Sequence, residues 1–221
     1  MLLFFATSGI WQTLRLGHTG WQAKLSTAHT AMSLKSGFTL SSAVLRWFVV
    51  LMAMGTNAQP ALPVLTNLLF HTNFLPECTR VLATIGPPGL PPLLAALTNQ
   101  NDQIREYTVD ALGDERADMN LVVPAVITAL SDRSSGVAAS AADSLKRMPV
   151  RPELVIPALA DALANRDRML RCNVLITLAS FGTKASNAIP SITAILKDND
   201  SYVRINAWTA LQQIDPTAAI K

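Results

Sequence analysis

The sequence is poor in aromatic and charged residues and has only two cysteines. Aromatic residues make up 6% of the 221 positions and charged residues 15%, whereas half of the chain is hydrophobic, mostly Ala, Leu, Val and Ile. This composition excludes disorder of the whole chain. Cys78 and Cys172 are far apart and form no Cys-x-x-Cys pair, so we expect two small buried residues and neither a disulfide framework nor a metal site.

Acidic residues are missing from the first third of the chain. The first one is Glu77, and the cations that precede it are Arg15, Lys24, Lys35 and Arg46. This basic, apolar stretch fits a membrane-facing or partner-facing N-terminus, or simply scattered cations on an atypical end. The net charge of +3 is too small to indicate a nucleic-acid partner, which we do not expect.

Long hydrophobic runs of membrane-spanning length are also missing. The run that opens the chain, residues 1–11, lacks a positively charged leader and is far shorter than the ~20 residues that cross a bilayer. The run over residues 44–54 is interrupted by Arg46. We therefore expect no transmembrane helix and a cytoplasmic protein, although the apolar N-terminus leaves export or membrane association open.

Motifs that carry catalytic or cofactor chemistry are absent from the sequence. It contains no HExxH, GxGxxG, Walker loop or GxSxG. The histidines, His18, His29 and His71, have no carboxylate or cysteine at ligand spacing. We expect a protein that is not an enzyme, with no catalytic residues, no cofactor, no metal and no small-molecule ligand.

What the chain does contain is an internal repeat. Residues 55–63 (GTNAQPALP) and 182–190 (GTKASNAIP) share Gly-Thr, Ala and a final Ala-aliphatic-Pro at identical spacing. The proline recurs with a leucine six positions later in the pairs Pro63 and Leu69, Pro91 and Leu97, Pro124 and Leu130, Pro157 and Leu163, and Pro190 and Leu196. A proline costs no hydrogen bond in the first turn of a helix, so each one predicts a helix start.

A second apolar series follows each proline helix. It has an apolar residue at position 0, a small or branched residue at +4 and a leucine at +8, which share one helix face. Position 0 is occupied by Phe74, Ile104, Val137, Leu170 and Val203. Ala43, Trp47 and Leu51 occupy positions 0, +4 and +8 once more, with the large Trp47 at +4. This makes six second helices, and a degenerate first helix is expected within residues 21–35. We therefore divide the chain into an atypical segment, residues 1–40, and a repeat region, residues 41–221.

The repeat resembles the HEAT family. A proline opens the first helix, Asp or Asn fills the turn, and an aliphatic-Arg pair opens the second helix at Ile104-Arg105, Leu170-Arg171 and Val203-Arg204. Val137-Ala138 and Phe74-Leu75 depart from this pattern. The short period is most similar to the HEAT-like repeats named after the phycobilisome lyases, which are widespread in bacterial proteins. The resemblance implies an all-α fold, an α-α superhelix (an armadillo/HEAT-like solenoid) of about six helix pairs, with the second helices lining its concave face.

Two sets of charged residues are candidates for binding. The outward positions +2 and +6 of the second helices include Arg80, Glu106, Asp110 and Asp143. The three acids would suit a basic partner, or they form an ordinary solvated face.

The second set is the arginine that opens the second helix in three repeats. Arg105, Arg171 and Arg204 could line a groove for an acidic partner, or they could pair with turn aspartates of their own or an adjacent repeat. Asp167 and Asp200, three residues before their helices' apolar position 0, are well placed for such pairs. Trp47 and Trp208 are expected to pack at the two ends.

These features leave three functions open. The first is a scaffold or adaptor that binds another protein on the concave face. The second, implied by the resemblance, is an accessory subunit of an enzyme such as a bilin lyase. The third is a nucleic-acid-binding HEAT solenoid, which the acidic lean of the outward positions disfavours. The shorter spacing over residues 71–91 also predicts a changed angle between repeats.

Overall fold

A computed structural model of the chain describes residues 42–71, 74–113, 118–148 and 151–216. The predicted atypical segment and its degenerate first helix lie outside these residues. The described part is helical throughout. Its α-helices are α1 (Ser42–Met54), α2 (Leu62–Leu68), α3 (Leu75–Ile85), α4 (Leu90–Ala96), α5 (Asp102–Leu112), α6 (Met119–Ala129), α7 (Ser135–Arg147), α8 (Pro152–Ala162), α9 (Arg168–Ser180), α10 (Ile189–Ile195) and α11 (Ser201–Ile214).

The chain forms two compact units, Met1–Gly89 and Leu90–Lys221. The boundary falls within the stretch of irregular spacing, residues 71–91. In the first unit α1 and α2 both pack against α3. The side chains of Phe48, Leu65 and Leu82 form a fully buried core between them.

In the second unit each second helix packs against the next one, α5 on α7, α7 on α9 and α9 on α11. The small or branched residue at +4 is fully buried in every one of these helices, as Thr108, Ala141, Val174 and Ala207 show. The predicted register is therefore confirmed. A small or branched side chain at the point of contact lets neighbouring helix axes approach closely.

The prolines open the first helix in only part of the series. Pro63, Pro91 and Pro190 lie at the start of α2, α4 and α10. Pro124 and Pro157 instead lie inside α6 and α8, so the predicted helix starts are wrong there. In α6 the helix begins about one turn earlier because the Asp118 side chain accepts a hydrogen bond from the Asn120 N–H and caps it.

The two Gly-Thr segments behave differently from those helices. Gly55–Ala61 and Gly182–Ala188 are 3₁₀ helices that lead directly into α2 and α10. Gly55 and Gly182 turn the chain with φ of 52° and 54°, a conformation that favours glycine. The shared nine-residue motif thus encodes a tight turn followed by a short first helix.

One helical stretch of the described residues, Trp47–Leu68, is long and apolar enough to cross a membrane by length and composition alone. It comprises α1 from Trp47 onward, the 3₁₀ helix Gly55–Ala61 and α2, and both α-helices pack on α3. These contacts are those of repeat helices. The absence of a transmembrane helix stays a prediction for the chain.

Both cysteines are buried and free, as expected from the sequence. Burial, reinforced by the neighbouring charge of Glu77, raises the pKa of the Cys78 thiol. The thiol therefore stays protonated at neutral pH, as in an inert packing residue.

Candidate protein-interaction surfaces

The turns that open the second helices share one hydrogen-bonding pattern in the second unit. An Asx residue accepts a bond from the backbone N–H two positions on, at 2.7–2.9 Å; the four are Asn99, Asp132, Asn165 and Asp198. The residue that donates is the N-cap of the helix that follows. These turns fix the starting residue of each second helix.

Arg105 joins its own turn to the next one. Its Nη1 donates to the carbonyl oxygens of Asn99 and Gln100 at 2.8 and 3.1 Å. Its Nε and Nη2 donate to the two carboxylate oxygens of Asp132, both at 2.8 Å. The Arg105 side chain is 4% exposed and that of Asp132 13%, so this two-pronged pair is nearly buried. The hydrogen bond from Arg105 holds the pKa of Asp132 below its ordinary value.

Arg171 repeats this arrangement one helix pair later. Its Nη1 donates to the carbonyls of Asn165 and Arg166, and its Nε lies 2.9 Å from a carboxylate oxygen of Asp198. Between these two pairs Ala138 takes the place of the arginine, and the matching turn residue is Asn165 rather than aspartate. An aspartate thus stands in a turn when the preceding repeat supplies the arginine.

The structural interpretation of the arginines is therefore right for Arg105 and Arg171, but the two aspartates singled out for it are wrong. Asp167 and Asp200 are N-caps: they accept from the N–H of Leu170 and of Tyr202 and Val203. An N-cap carboxylate points at its own helix. The carboxylate two residues before the N-cap of the following second helix reaches the arginine instead.

Arg204 has only the first half of this arrangement. Its Nη1 donates to the carbonyls of Asp198 and Asn199 at 2.8 and 3.1 Å, in its own turn. Among residues 42–71, 74–113, 118–148 and 151–216, no carboxylate lies within ion-pair distance of Arg204. Its Nε and Nη2 therefore remain available on the side where Arg105 and Arg171 hold an aspartate.

Two of the acids predicted to bind a partner are brought together by a cation that sequence reasoning missed. Arg147 donates from Nη2 to Asp110 at 2.7 Å, and its Nη1 lies 3.3 Å from Asp143. All three side chains are about half exposed. The spacing of Asp143 and Arg147, four residues on one helix, is the sequence signal that could have found this contact.

Glu106 makes no ion pair with a described residue. With Gln103, Tyr107, Asp110 and Ser140 it lines a shallow groove of about 200 Å³ between α5 and α7. The phenol ring of Tyr107 is 42% exposed there. The groove thus combines two carboxylates with an aromatic face.

The fourth predicted residue, Arg80, lies exposed on α3 of the first unit. It makes no ion pair with a described residue. Outward positions of the second unit that were not predicted carry apolar side chains, Ile176 on α9 and Ile205 on α11, which are 42% and 60% exposed. The outward positions of the second unit therefore carry acids on α5 and α7 and one exposed isoleucine each on α9 and α11.

No group of three or more potential metal ligands occurs in the part of the chain that the structure describes. Of the three histidines only His71 lies there, and its side chain is exposed.

The family model for HEAT repeats matches residues 90–171 and 156–221, which together are more than half of the chain. The chain is a HEAT-repeat protein. No curated protein matches the sequence.

Two solved structures are similar to this HEAT-repeat chain in fold. The complex of CpcE and CpcF of phycocyanin lyase from Nostoc sp. matches with a TM-score of 0.56 and 17% identity over 68% of this chain and 97% of that one. A designed armadillo repeat protein in complex with the peptide (KR)4 matches with a TM-score of 0.51 and 16% identity over 80% of this chain and 93% of that one. At these identities the likeness shows the armadillo/HEAT-type fold.

Proposed function

We propose that this HEAT-repeat protein is a non-catalytic scaffold or adaptor that binds a basic segment of another protein on the outward face of its second helices. The observation that carries the proposal is the groove of Glu106, Tyr107 and Asp110 between α5 and α7. HEAT pairs expose one side chain after another along such a face, which suits an extended chain more than a compact small molecule.

The charge of the face supports a basic partner. Three carboxylates, Glu106, Asp110 and Asp143, are set against one guanidinium, Arg147. One acid in this set, Glu106, makes no ion pair with a described residue and can therefore pair with a Lys or Arg side chain of a partner. The exposed ring of Tyr107 offers the same cation a π face, worth about 0.5–1 kcal/mol at an exposed site.

The comparisons support the same class of partner. A designed armadillo repeat protein of similar fold was solved with the basic peptide (KR)4. The fold type of this chain is thus one for which a complex with an alternating basic peptide is known. The cytoplasm is the proposed location, because the two free, buried thiols fit a reducing compartment.

The proposal is tested by titrating fluorescently labelled (KR)4 into the chain and following anisotropy. Glu106→Gln and Tyr107→Leu are each expected to weaken binding, with the double variant weakened about tenfold, equivalent to ~1.4 kcal/mol. The matched control is Asp161→Asn, which removes an exposed carboxylate from α8, the first helix of its pair, and should leave the affinity for (KR)4 unchanged. Equal weakening by Glu106→Gln and Asp161→Asn, with no effect of the uncharged change Tyr107→Leu, would mean that only net charge matters, and the groove would be rejected.

An accessory role beside a bilin lyase is the second candidate, favoured by the likeness to the CpcE–CpcF complex. It would be supported if the purified chain, added to a phycobiliprotein and a free bilin, accelerated chromophore attachment. Duplex DNA in the anisotropy assay is expected not to bind below micromolar concentration, since the outward positions of α5 and α7 are acidic.

A further inference from the structure

Consecutive second helices of the second unit are joined through two positions of the earlier helix, +1 and +5. The +1 arginines Arg105 and Arg171 hold the aspartate of the next turn. The +5 residues Val109, Ala142 and Leu175 are fully buried.

Hydrogen bonds show that the next helix covers these positions. Ser144 of α7 donates its hydroxyl to the Val109 carbonyl at 3.1 Å, and Thr177 of α9 does the same to Ala142 at 3.0 Å. The contacts of α5 with α7 and of α9 with α11 therefore combine an ion pair at +1 with a buried residue at +5, whereas the contact of α7 with α9 has Ala138 at +1 and close packing at +5 alone.

On α11 the same two positions carry Arg204 and Trp208. The Nε and Nη2 of Arg204 face no carboxylate among the described residues, and the Trp208 side chain is 48% exposed. This exposure is more than expected for a tryptophan whose only role is to pack at the end of the repeat array. We call Arg204, Trp208 and the neighbouring exposed Ile205 the α11 face.

We propose that the α11 face docks a helix pair of another HEAT-like protein, whose inter-helix turn presents an aspartate to Arg204 while its second helix covers Trp208. This surface is distinct from the groove between α5 and α7, and the proposal goes beyond the function proposed above.

The occupant follows from what covers the equivalent face elsewhere in the molecule. α5 and α9 both present an arginine at +1, and both are covered by a helix whose preceding turn supplies an aspartate. At α7, where +1 is Ala138, the turn carries Asn165 instead. An arginine at +1 thus goes with an aspartate in the covering repeat, and α11 has the arginine.

A second copy of this chain does not supply that aspartate. Its two turn aspartates of this type, Asp132 and Asp198, are already bound by Arg105 and Arg171. The side chains of the α11 face also differ from those of an internal joint. Tryptophan and arginine are the residue types enriched among the energetic centres of protein interfaces, and tryptophan replaces the smaller Val, Ala or Leu found at the internal +5 positions.

A helix pair with known sequence can serve as the probe. A synthetic peptide of residues 189–221, with its own tryptophan replaced by phenylalanine, carries the Asp198 turn and is titrated into the full chain. Docking is read from protection of Trp208 against acrylamide quenching, taken as the difference from the Trp208→Phe chain. The matched control peptide carries Asp198→Asn, which keeps the turn acceptor and removes the charge.

We expect the aspartate peptide to protect Trp208 and the asparagine peptide to bind about tenfold more weakly, the ratio for one charge-assisted pair. Glu106→Gln in the chain should leave this binding unchanged, so failure here is distinguishable from failure of the groove. Equal binding of the two peptides would overturn the proposal.

A tethered version decides the outcome if the free peptide is too weakly folded to bind. The same 33 residues are appended after Lys221, which places the copied Asp198 27 positions beyond Arg204, the separation seen in both internal pairs. Protection of Trp208 and a higher urea midpoint than the asparagine version support the proposal, and unchanged quenching overturns it. Self-association of the native chain that Arg204→Gln abolishes would also overturn it, because the occupant would then be a second copy.

Discussion

At the scale of single residues, the pair of Arg105 and Asp132 is the most demanding contact of the second unit. Both partners are nearly buried, and the guanidinium also satisfies two carbonyls of its own turn. Removing one partner of such a pair leaves the other charge buried without compensation.

Arg105→Met is therefore expected to lower the free energy of unfolding by about 3 kcal/mol, measured by urea denaturation. Methionine keeps the apolar stem, so the loss reports mainly on the ion pair. The double variant Arg105→Met with Asp132→Asn should recover at least about 1 kcal/mol of it. Asparagine still accepts the Ser134 N–H, as Asn165 does for Asp167. A double variant no more stable than the single one would show that the two side chains are not coupled.

The same pair predicts the acid sensitivity of the chain. Arg105 lowers the pKa of Asp132 in the folded state below the ordinary 3.8. A depressed folded pKa stabilises the protein above the unfolded value, and this stability is lost as the pH falls through the folded value. Between about pH 5 and about pH 2, the native chain should thus lose more unfolding free energy than Asp132→Asn. Parallel losses in thermal melts of the two proteins would contradict this.

At the scale of helices and turns, glycines mark positions where the path of the backbone allows no side chain. Gly89 is tightly packed, because a Cβ there would overlap the carbonyl oxygen of Leu82 in α3. Gly182 has an open surrounding, and its requirement is the positive φ alone.

We therefore expect Gly89→Ala to lower the melting temperature more than Gly182→Ala. The second change costs about 1 kcal/mol of backbone strain, whereas the first forces the 3₁₀ turn Pro87–Gly89 away from α3. Calorimetry of both variants, with an alanine-to-glycine change at exposed Ala95 as a reference, measures the difference. A smaller effect at Gly89 would show that the turn relaxes freely.

Helix positions were predictable from the sequence where the periodicity is strong, and less so where capping decides. The 0, +4 and +8 series gives the buried faces of α5, α7, α9 and α11 directly, because a helix must bury one stripe. The starts of α6 and α8 were missed, because α6 begins after the Asp118 cap and α8 begins at Pro152, in both cases before the repeated proline. Which aspartate reaches which arginine depends on the angle between repeats, and no local pattern in the sequence contains it.

At the scale of the whole molecule, neighbouring repeats within the second unit contact each other. α11 packs on α9, α10 and the 3₁₀ helix Gly182–Ala188. Stability in such an array is approximately a sum of repeat and neighbour terms.

Deleting residues 189–221 should therefore leave the remaining repeats folded. We expect a lower urea midpoint and a smaller denaturant dependence, in proportion to the surface lost, while the far-ultraviolet dichroism per residue is retained. Collapse of the helical signal would show that the second unit unfolds as one body rather than repeat by repeat.

The division of arginine and aspartate between neighbouring repeats has a consequence for recombination. Each pair spans 27 positions and crosses a repeat boundary, so a repeat moved by itself takes its arginine away from the aspartate that matched it. A repeat with Asp132 or Asp198 in its turn is compatible with a predecessor of the Arg105 type, and one with Asn165 with a predecessor of the Ala138 type. Exchange of repeats between proteins of this kind is thus constrained at each junction, where arginine requires aspartate and alanine goes with asparagine. Duplication of an Asn165-type repeat behind an arginine would leave the guanidinium charge buried without a carboxylate.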